Sequence, residues 1–373
     1  MASLSLIRQS SGWLRRRRAE LKLALRVTIA GTLAFAITRA LDLPQGYWAA
    51  ITAVIVMQAS VGGSLKAALD RFTGTLAGAI YGAAIAAAIP HTTAIDLALA
   101  IVLALFPLAL LAAVNPSFRV APVTSLIMLL PPTGQHLGPL TSALDRVAEI
   151  TLGNIVGVVV ALFILPARAH TLMSEAAAKV VSLNAELLAV FINELTAGPA
   201  GRAALQTLHP QIRSALKKAE AAAEEAVRER KSHLTDEADP EPVIRTLYRV
   251  RHDLVMIGRA ASNPLPEPIR ERLSPALIGL RDAAAALLMG LAEALMKRSV
   301  PPNPDALEAA LQTFTSEMEA LRAEAATRDL PSDAFGQIFA LRFALEQFRQ
   351  DVGDLLARAK EMAERRRRSA AGS

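Results

Sequence analysis

Apolar residues fill the first 166 positions in long, scarcely interrupted stretches, whereas beyond them they recur every three or four residues among charges. The first pattern belongs to helices in lipid, where a crossing needs roughly 20 apolar residues. The second belongs to amphipathic helices packed in water. Six apolar stretches read as spans near 22–41, 47–61, 71–89, 95–114, 118–132 and 145–166. Turn chemistry separates them at Asp42-Leu43-Pro44-Gln45-Gly46, Gly62-Gly63-Ser64, Pro90-His91, Asn115-Pro116-Ser117 and Pro131-Pro132-Thr133-Gly134. The second and fifth stretches are short for a crossing.

After Pro166 about six helices are expected, divided at Gly198-Pro199-Ala200-Gly201, Asp239-Pro240-Glu241-Pro242, Asn263-Pro264-Leu265-Pro266, Pro301-Pro302-Asn303-Pro304 and Leu330-Pro331-Ser332. Ile338, Leu341, Leu345, Phe348, Val352, Leu355, Ala359 and Met362 step by three and four, as do Leu307, Leu311, Phe314, Met318 and Leu321. Such seams suit two roles, packing within one bundle or pairing between subunits. The expected class is all-α: a basic cytoplasmic segment 1–21, a six-span membrane module 22–166, and a cytoplasmic helical domain 167–373 with a basic tail, Arg365 to Arg368.

Charge sharpens this division. Residues 1–166 hold 12 Lys+Arg against 6 Asp+Glu, and residues 167–373 hold 28 of each. The net charge of +6 therefore lies in the first part. With the N-terminus inside, the inner segments carry Arg8, Arg15 to Arg18, Lys22, Lys66, Arg71, Arg119 and Arg168, and the outer ends hold Arg39 and Arg146. That bias predicts cytoplasmic N- and C-termini in a bacterial inner membrane. Arg26, one turn into the first span, can snorkel back to the inner headgroups.

Segments 66–90 and 141–165 align at an offset of 75. Ala68-Leu69-Asp70-Arg71 matches Ala143-Leu144-Asp145-Arg146, and Gly78 and Gly82 match Gly153 and Gly157. A weaker match at offset 72 pairs Pro44, Ala49, Thr52 and Ile55 with Pro116, Ala121, Thr124 and Ile127. Spans one to three and four to six are thus expected to form a 3+3 inverted repeat, a device of secondary transporters. Short or Gly/Pro-interrupted segments at matching places point to the binding region, which singles out spans two and five with Thr52 and Thr124. Each hydroxyl has a plainer use, bonding back to its own helix.

Gly74, Gly78, Gly82 and Ala86 line one face of span three, where small residues let helices approach closely. The matching face of span six carries Glu149, Gly153, Gly157 and Ala161. Glu149 thus replaces a glycine on a packed face. It suits a proton carrier or a partner of Arg146, and the alternative is a carboxylate solvated near the outer headgroups. Asn154 is a weaker candidate of the same kind.

Tyr47-Trp48-Ala49-Ala50-Ile51-Thr52, Arg71-Phe72-Thr73-Gly74-Thr75-Leu76-Ala77-Gly78, and Arg146 through Gly153 to Leu165-Pro166 resemble the fusaric acid resistance and aromatic acid exporter family, and more distantly the aluminium-activated malate transporters. The resemblance implies proton-driven efflux of organic, often aromatic, carboxylates. Arg71, Arg146 and Arg26 are then suited to bind the anion, since guanidinium pairs with carboxylate bidentately. Longer exporters carry two membrane modules in one chain and this chain carries one, so two copies are expected to associate.

There is no cysteine, and hence no disulfide framework or thiolate site. His170, His209, His233 and His252 show no metal-ligand spacing, and no phosphate loop or nucleophile elbow occurs. No enzyme, cofactor, metal or nucleic-acid partner is expected. Besides an exporter, a passive anion channel and a membrane-anchored helical scaffold or sensor fit the sequence.

Overall fold

A computed structural model describes residues 18–43, 45–89, 93–130, 139–166, 168–198, 201–231, 237–324 and 332–371. The described residues are helical without strands, and they divide into two compact units, 1–168 and 169–373. The expected breaks at Pro44, Pro90-His91, Pro131 to Gly134, Pro199-Ala200 and Leu330-Pro331 lie outside the described residues, as do Arg8, Arg15 to Arg17 and His233.

The first unit contains α1 (Arg18–Ala40), α2 (Tyr47–Val56), α3 (Val61–Ala88), α4 (Ala94–Val114), a 3-10 turn (Pro116–Phe118), α5 (Ala121–Leu129) and α6 (Pro139–Phe163). At 1.5 Å per residue, α1, α3, α4 and α6 measure about 30–42 Å, enough for a bilayer core of ~30 Å. α2 and α5 reach only about 15 Å. Glu20–Ala40, Ala94–Val114 and Thr141–Phe163 are long and apolar enough to cross a membrane. Apolar side chains also cover the outside of this unit, among them Phe106, Ile80, Leu144 and Phe163.

Several expected boundaries move, and α6 starts at Pro139 instead of 145. The Gly62-Gly63-Ser64 turn between spans two and three is helical, so α3 starts ten residues before the expected 71. Ser60 caps it by accepting the Gly63 N–H at 2.9 Å, and Ser64 Oγ accepts the Gln58 N–H at 2.9 Å. These caps offset the low helix propensity of the glycine pair. Span two shrinks to Tyr47–Val56, and span five from 118–132 to Ala121–Leu129.

α3 and α6 pack together at the centre, and each holds a short helix: α5 lies on α3 and α2 on α6. Glycine sets these contacts. A Cβ at Gly78 would lie 2.4 Å from the Ala121 carbonyl and 2.8 Å from Thr124 Cβ. At Gly153 it would lie 2.4 Å from the Ala49 carbonyl and 2.7 Å from Thr52 Cβ. Moving from Gly74 through Gly78 to Gly82, the facing residues advance from Ser117 through Ala121 to Ser125. α3 and α5 therefore run parallel. From Gly153 to Gly157 they advance from Ala49 to Ala53 and Val56, so α6 and α2 also run parallel. α1 covers α2 and α6, and α4 covers α5 and α3.

The second unit contains α7 (Ala169–Ala197), α8 (Arg202–Lys231), α9 (Glu241–Ala260), α10 (Glu267–Lys297), α11 (Asp305–Ala323) and α12 (Ser332–Ala371). The seam from Ile338 to Met362 is buried within the chain, where α12 packs mainly on α9. That contact uses the seam for packing inside one bundle. Ile269–Lys297 of α10 is apolar and long enough to cross a membrane. α7, α11 and α12 cover part of it, and Arg272 pairs with Glu317 of α11 at 2.9 Å, while Ile278, Met289 and Met296 stay exposed.

Among the described residues of this unit, His170, Glu229 and Asp253 are buried ionisable groups. His170 Nε2 donates to the Ala238 carbonyl at 2.6 Å. Burial lowers its pKa, so it stays neutral until the pH falls below its usual range. On α9, Arg249 bridges Asp351 and Asp354 of α12 at 3.2 and 2.6 Å. Asp253 lies one turn further along, and burial followed by the neighbouring Asp351 carboxyl pushes its pKa up to about 7.

Gly153→Ala should destabilise the detergent-purified chain by about 1–3 kcal/mol through overpacking against Ala49. Gly279→Ala, with open space around its Cβ site, should leave thermal unfolding unchanged or slightly raised. Because the Asp253 pKa is raised on folding, its protonated form stabilises the bundle at low pH, and that support is lost as pH rises toward 7. Asp253→Asn should therefore protect α9 and α12 amides from hydrogen exchange by roughly 2 kcal/mol at pH 8, with the gain vanishing near pH 4.

Candidate functional site

Side chains from three helices converge on α2. Gln45, Trp48 and Thr52 share a face at steps of three and four, and Arg146 and Glu149 share one on α6. Arg71 Nε of α3 donates to Thr52 Oγ1 at 3.0 Å. The Arg146 guanidinium stacks on Trp48, 3.8 Å from the ring centroid. Glu149 Oε1 accepts the Gln45 N–H at 2.8 Å, just ahead of the first turn of α2. At the other end Arg26 Nη2 donates to the Gln58 and Ala59 carbonyls at 2.8 and 3.0 Å.

All four ionic side chains have left water: Arg26 is 1% exposed, Arg71 8%, Arg146 3% and Glu149 1%. A buried charge costs several kcal/mol unless it is paired and hydrogen-bonded. Arg26 meets this demand in part with the Gln58 and Ala59 carbonyls of the α2–α3 connection. Arg146 does not: its Nη1 and Nη2 have no hydrogen-bond partner among the described residues. Trp48 Nε1, both amide atoms of Asn154 and the hydroxyls of Thr75 and Ser125 are likewise buried without one. Arg146 lies within electrostatic reach of both Glu149 and Arg71. Asp145 acts on Glu149 in turn, and Arg146 presents a guanidinium edge open to an acceptor.

Of the residues singled out from sequence, Arg71, Arg146, Thr52 and Glu149 come together. Thr124 does not; it lies on α5 beside Gly78, and its hydroxyl donates to the Val120 carbonyl at 3.2 Å. Arg26 does not snorkel to headgroups, since its guanidinium is enclosed against the α2–α3 junction. Glu149 is not solvated, because its carboxylate is spent on the Gln45 amide. Gln45 and Trp48 were missed as site residues. Trp48 is one of two tryptophans in the chain and opens a short apolar helix, which was the available signal. Among the described residues no group of three or more His, Cys, Asp or Glu side chains is placed to hold a metal.

Long apolar helices with an apolar exterior and buried polar residues define the first unit as a multi-pass membrane domain. Residues 33–165 match the family described as fusaric acid resistance protein-like. Over 68 residues the chain is 41% identical to the uncharacterized transporter YdhK of Escherichia coli (strain K12), and equally to that of Escherichia coli O157:H7. This match covers 18% of the chain and only 10% of each relative's length.

Arg26→Met should leave the Gln58 and Ala59 carbonyls without their donor and lower the thermal stability of the purified chain by about 2 kcal/mol. Arg26→Lys should recover part of that loss.

Proposed function

We propose that the first unit is a carrier that exports small organic anions, chiefly aromatic carboxylates, across the bacterial inner membrane. The observation that carries this reading is the buried Arg146 guanidinium, with Nη1 and Nη2 unpartnered and its face on Trp48. A carboxylate meets two adjacent N–H donors bidentately, and Arg71 adds positive charge nearby. Trp48 and Tyr47, with ring centroids 5.3 Å apart, supply aromatic surface for the ring of such a solute.

In this reading the chain crosses the membrane six times, with both termini cytoplasmic, and its two three-helix copies lie upside down to one another. The support is the equivalence of contacts: Gly78 on Ala121 and Thr124 repeats as Gly153 on Ala49 and Thr52, at the sequence offsets of 75 and 72. Glu149 breaks the equivalence, standing where the other copy has Gly74. We assign it the coupled proton: protonation releases the Gln45 amide and withdraws the negative charge from beside Arg146. Two copies associate, and the helical second unit stands in the cytoplasm.

Flux into proteoliposomes carrying a pH gradient tests this reading. Transport of aromatic carboxylates should fall at least about tenfold in Arg146→Gln, given a charge-assisted pair worth ~1.5–3 kcal/mol. Glu149→Gln should abolish the response to the gradient. Electrogenic anion current without proton movement would replace the carrier by a passive channel, and no flux of any tested acid would end the transport reading. A deletion strain grown against a panel of aromatic carboxylates should show the matching sensitivity.

A further inference from the structure

One end of the second unit is built unlike the rest. α7 begins at Ala169, three residues after Pro166, where the membrane-type sequence stops. Glu229, in the last turn of α8, accepts the Ala169 N–H with both carboxylate oxygens, at 3.2 and 3.1 Å. His170 bonds to Ala238 just ahead of α9, and the adjacent Glu237 accepts from Arg298 at the end of α10 at 2.8 Å. Arg366 in turn points Nη1 at the Lys297 carbonyl, 3.5 Å away. These contacts gather the start of α7, the ends of α8 and α10, and the basic end of α12 at one pole.

That pole combines two features. Arg365 to Arg368 are all exposed, and Met296 and Val300 beside Lys297 and Arg298 are 58% and 46% exposed. Arg365 and Arg368 have loose partners in Glu361 and Glu364 at 3.5 and 3.9 Å. Arg366 and Arg367 have no acidic partner within 4 Å among the described residues. Basic side chains in a last turn also complement the helix dipole. That role is filled by one or two charges and gives no reason for exposed methionine and valine alongside.

We propose that this pole docks on the anionic lipid surface of the membrane, with Met296 and Val300 entering the headgroup region and the arginine run pairing with lipid phosphates. The surface within reach is fixed by the tether: a few residues of chain, at most about 3.5 Å each, separate α7 from the bilayer. A basic cluster next to a membrane segment is attracted to acidic headgroups within a Debye length, and apolar side chains beside it add burial. The inference rests on the membrane reading of the first unit and adds a bound orientation to the second.

Because the chain has no cysteine, single labelled cysteines test it in the full-length protein. An environment-sensitive fluorophore is placed at Met296→Cys and read in nanodiscs containing brominated lipids. Phe106→Cys on α4 reports lipid contact of the first unit, and Gln206→Cys near the start of α8 reports the opposite pole. The label at 296 should be quenched in discs with anionic lipid. Quenching should fall about threefold or more in zwitterionic discs, in 0.5 M salt, or when Arg365 to Arg368 are all changed to Gln. The label at 206 should stay unquenched. Quenching at 106 but not at 296 overturns the docking alone. Quenching at neither position overturns the membrane reading as well. Quenching at 296 that ignores lipid charge and the arginines overturns the electrostatic docking.

Discussion

Backbone meets backbone at Gly78 and Gly153, and the first unit depends on that approach. In lipid no hydrophobic force draws apolar helices together, so close packing and polar contacts must do it. The Ala121 and Ala49 carbonyls sit where a Cβ would be, which brings α5 onto α3 and α2 onto α6. Helices of nine or ten residues are too short to span a bilayer core by themselves, and these two are held in place by their long neighbours.

The polar site is a consequence of that placement. With α2 pressed onto α6, Glu149 reaches the Gln45 amide and Arg146 covers Trp48, while Arg71 reaches Thr52 from α3. Charges enclosed in this way have few acceptors: among the described residues Arg26 keeps Nε and Nη1, and Arg146 both Nη1 and Nη2, without a partner. The other short helix, α5, has no such ionic contacts among the described residues; Thr124 bonds to its own helix. Two similarly packed halves are therefore chemically different.

The second unit follows the physics of water-soluble helices. Its seams are filled from within the chain, and three other helices cover part of its apolar helix α10. Among the described residues, Glu229 on the start of α7 and His170 on Ala238 are buried at helix junctions, and Asp253 meets Asp351 between the bodies of α9 and α12.

Much was legible in the chain itself. Apolar stretches and proline or glycine breaks located α1 and α4 to within four residues, because hydropathy over 20 residues sums many small terms, whereas α6 starts six residues before the expected 145. Three-four spacing marked the residues from Ile338 to Met362 that α12 buries. The offset match also paired Arg71 with Arg146 and Glu149 with glycine. Sequence did not reveal that Gly62-Gly63 is helical, since a cap at Ser60 and the Arg26 clamp override propensity there. Nor could it tell which arginine is anchored and which is open. Arg26, Arg71 and Arg146 look alike in a chain. Only the packing of α2 among α1, α3 and α6 gives the first two acceptors and the third an aromatic face, because a hydrogen bond depends on ångström distances that pattern does not encode.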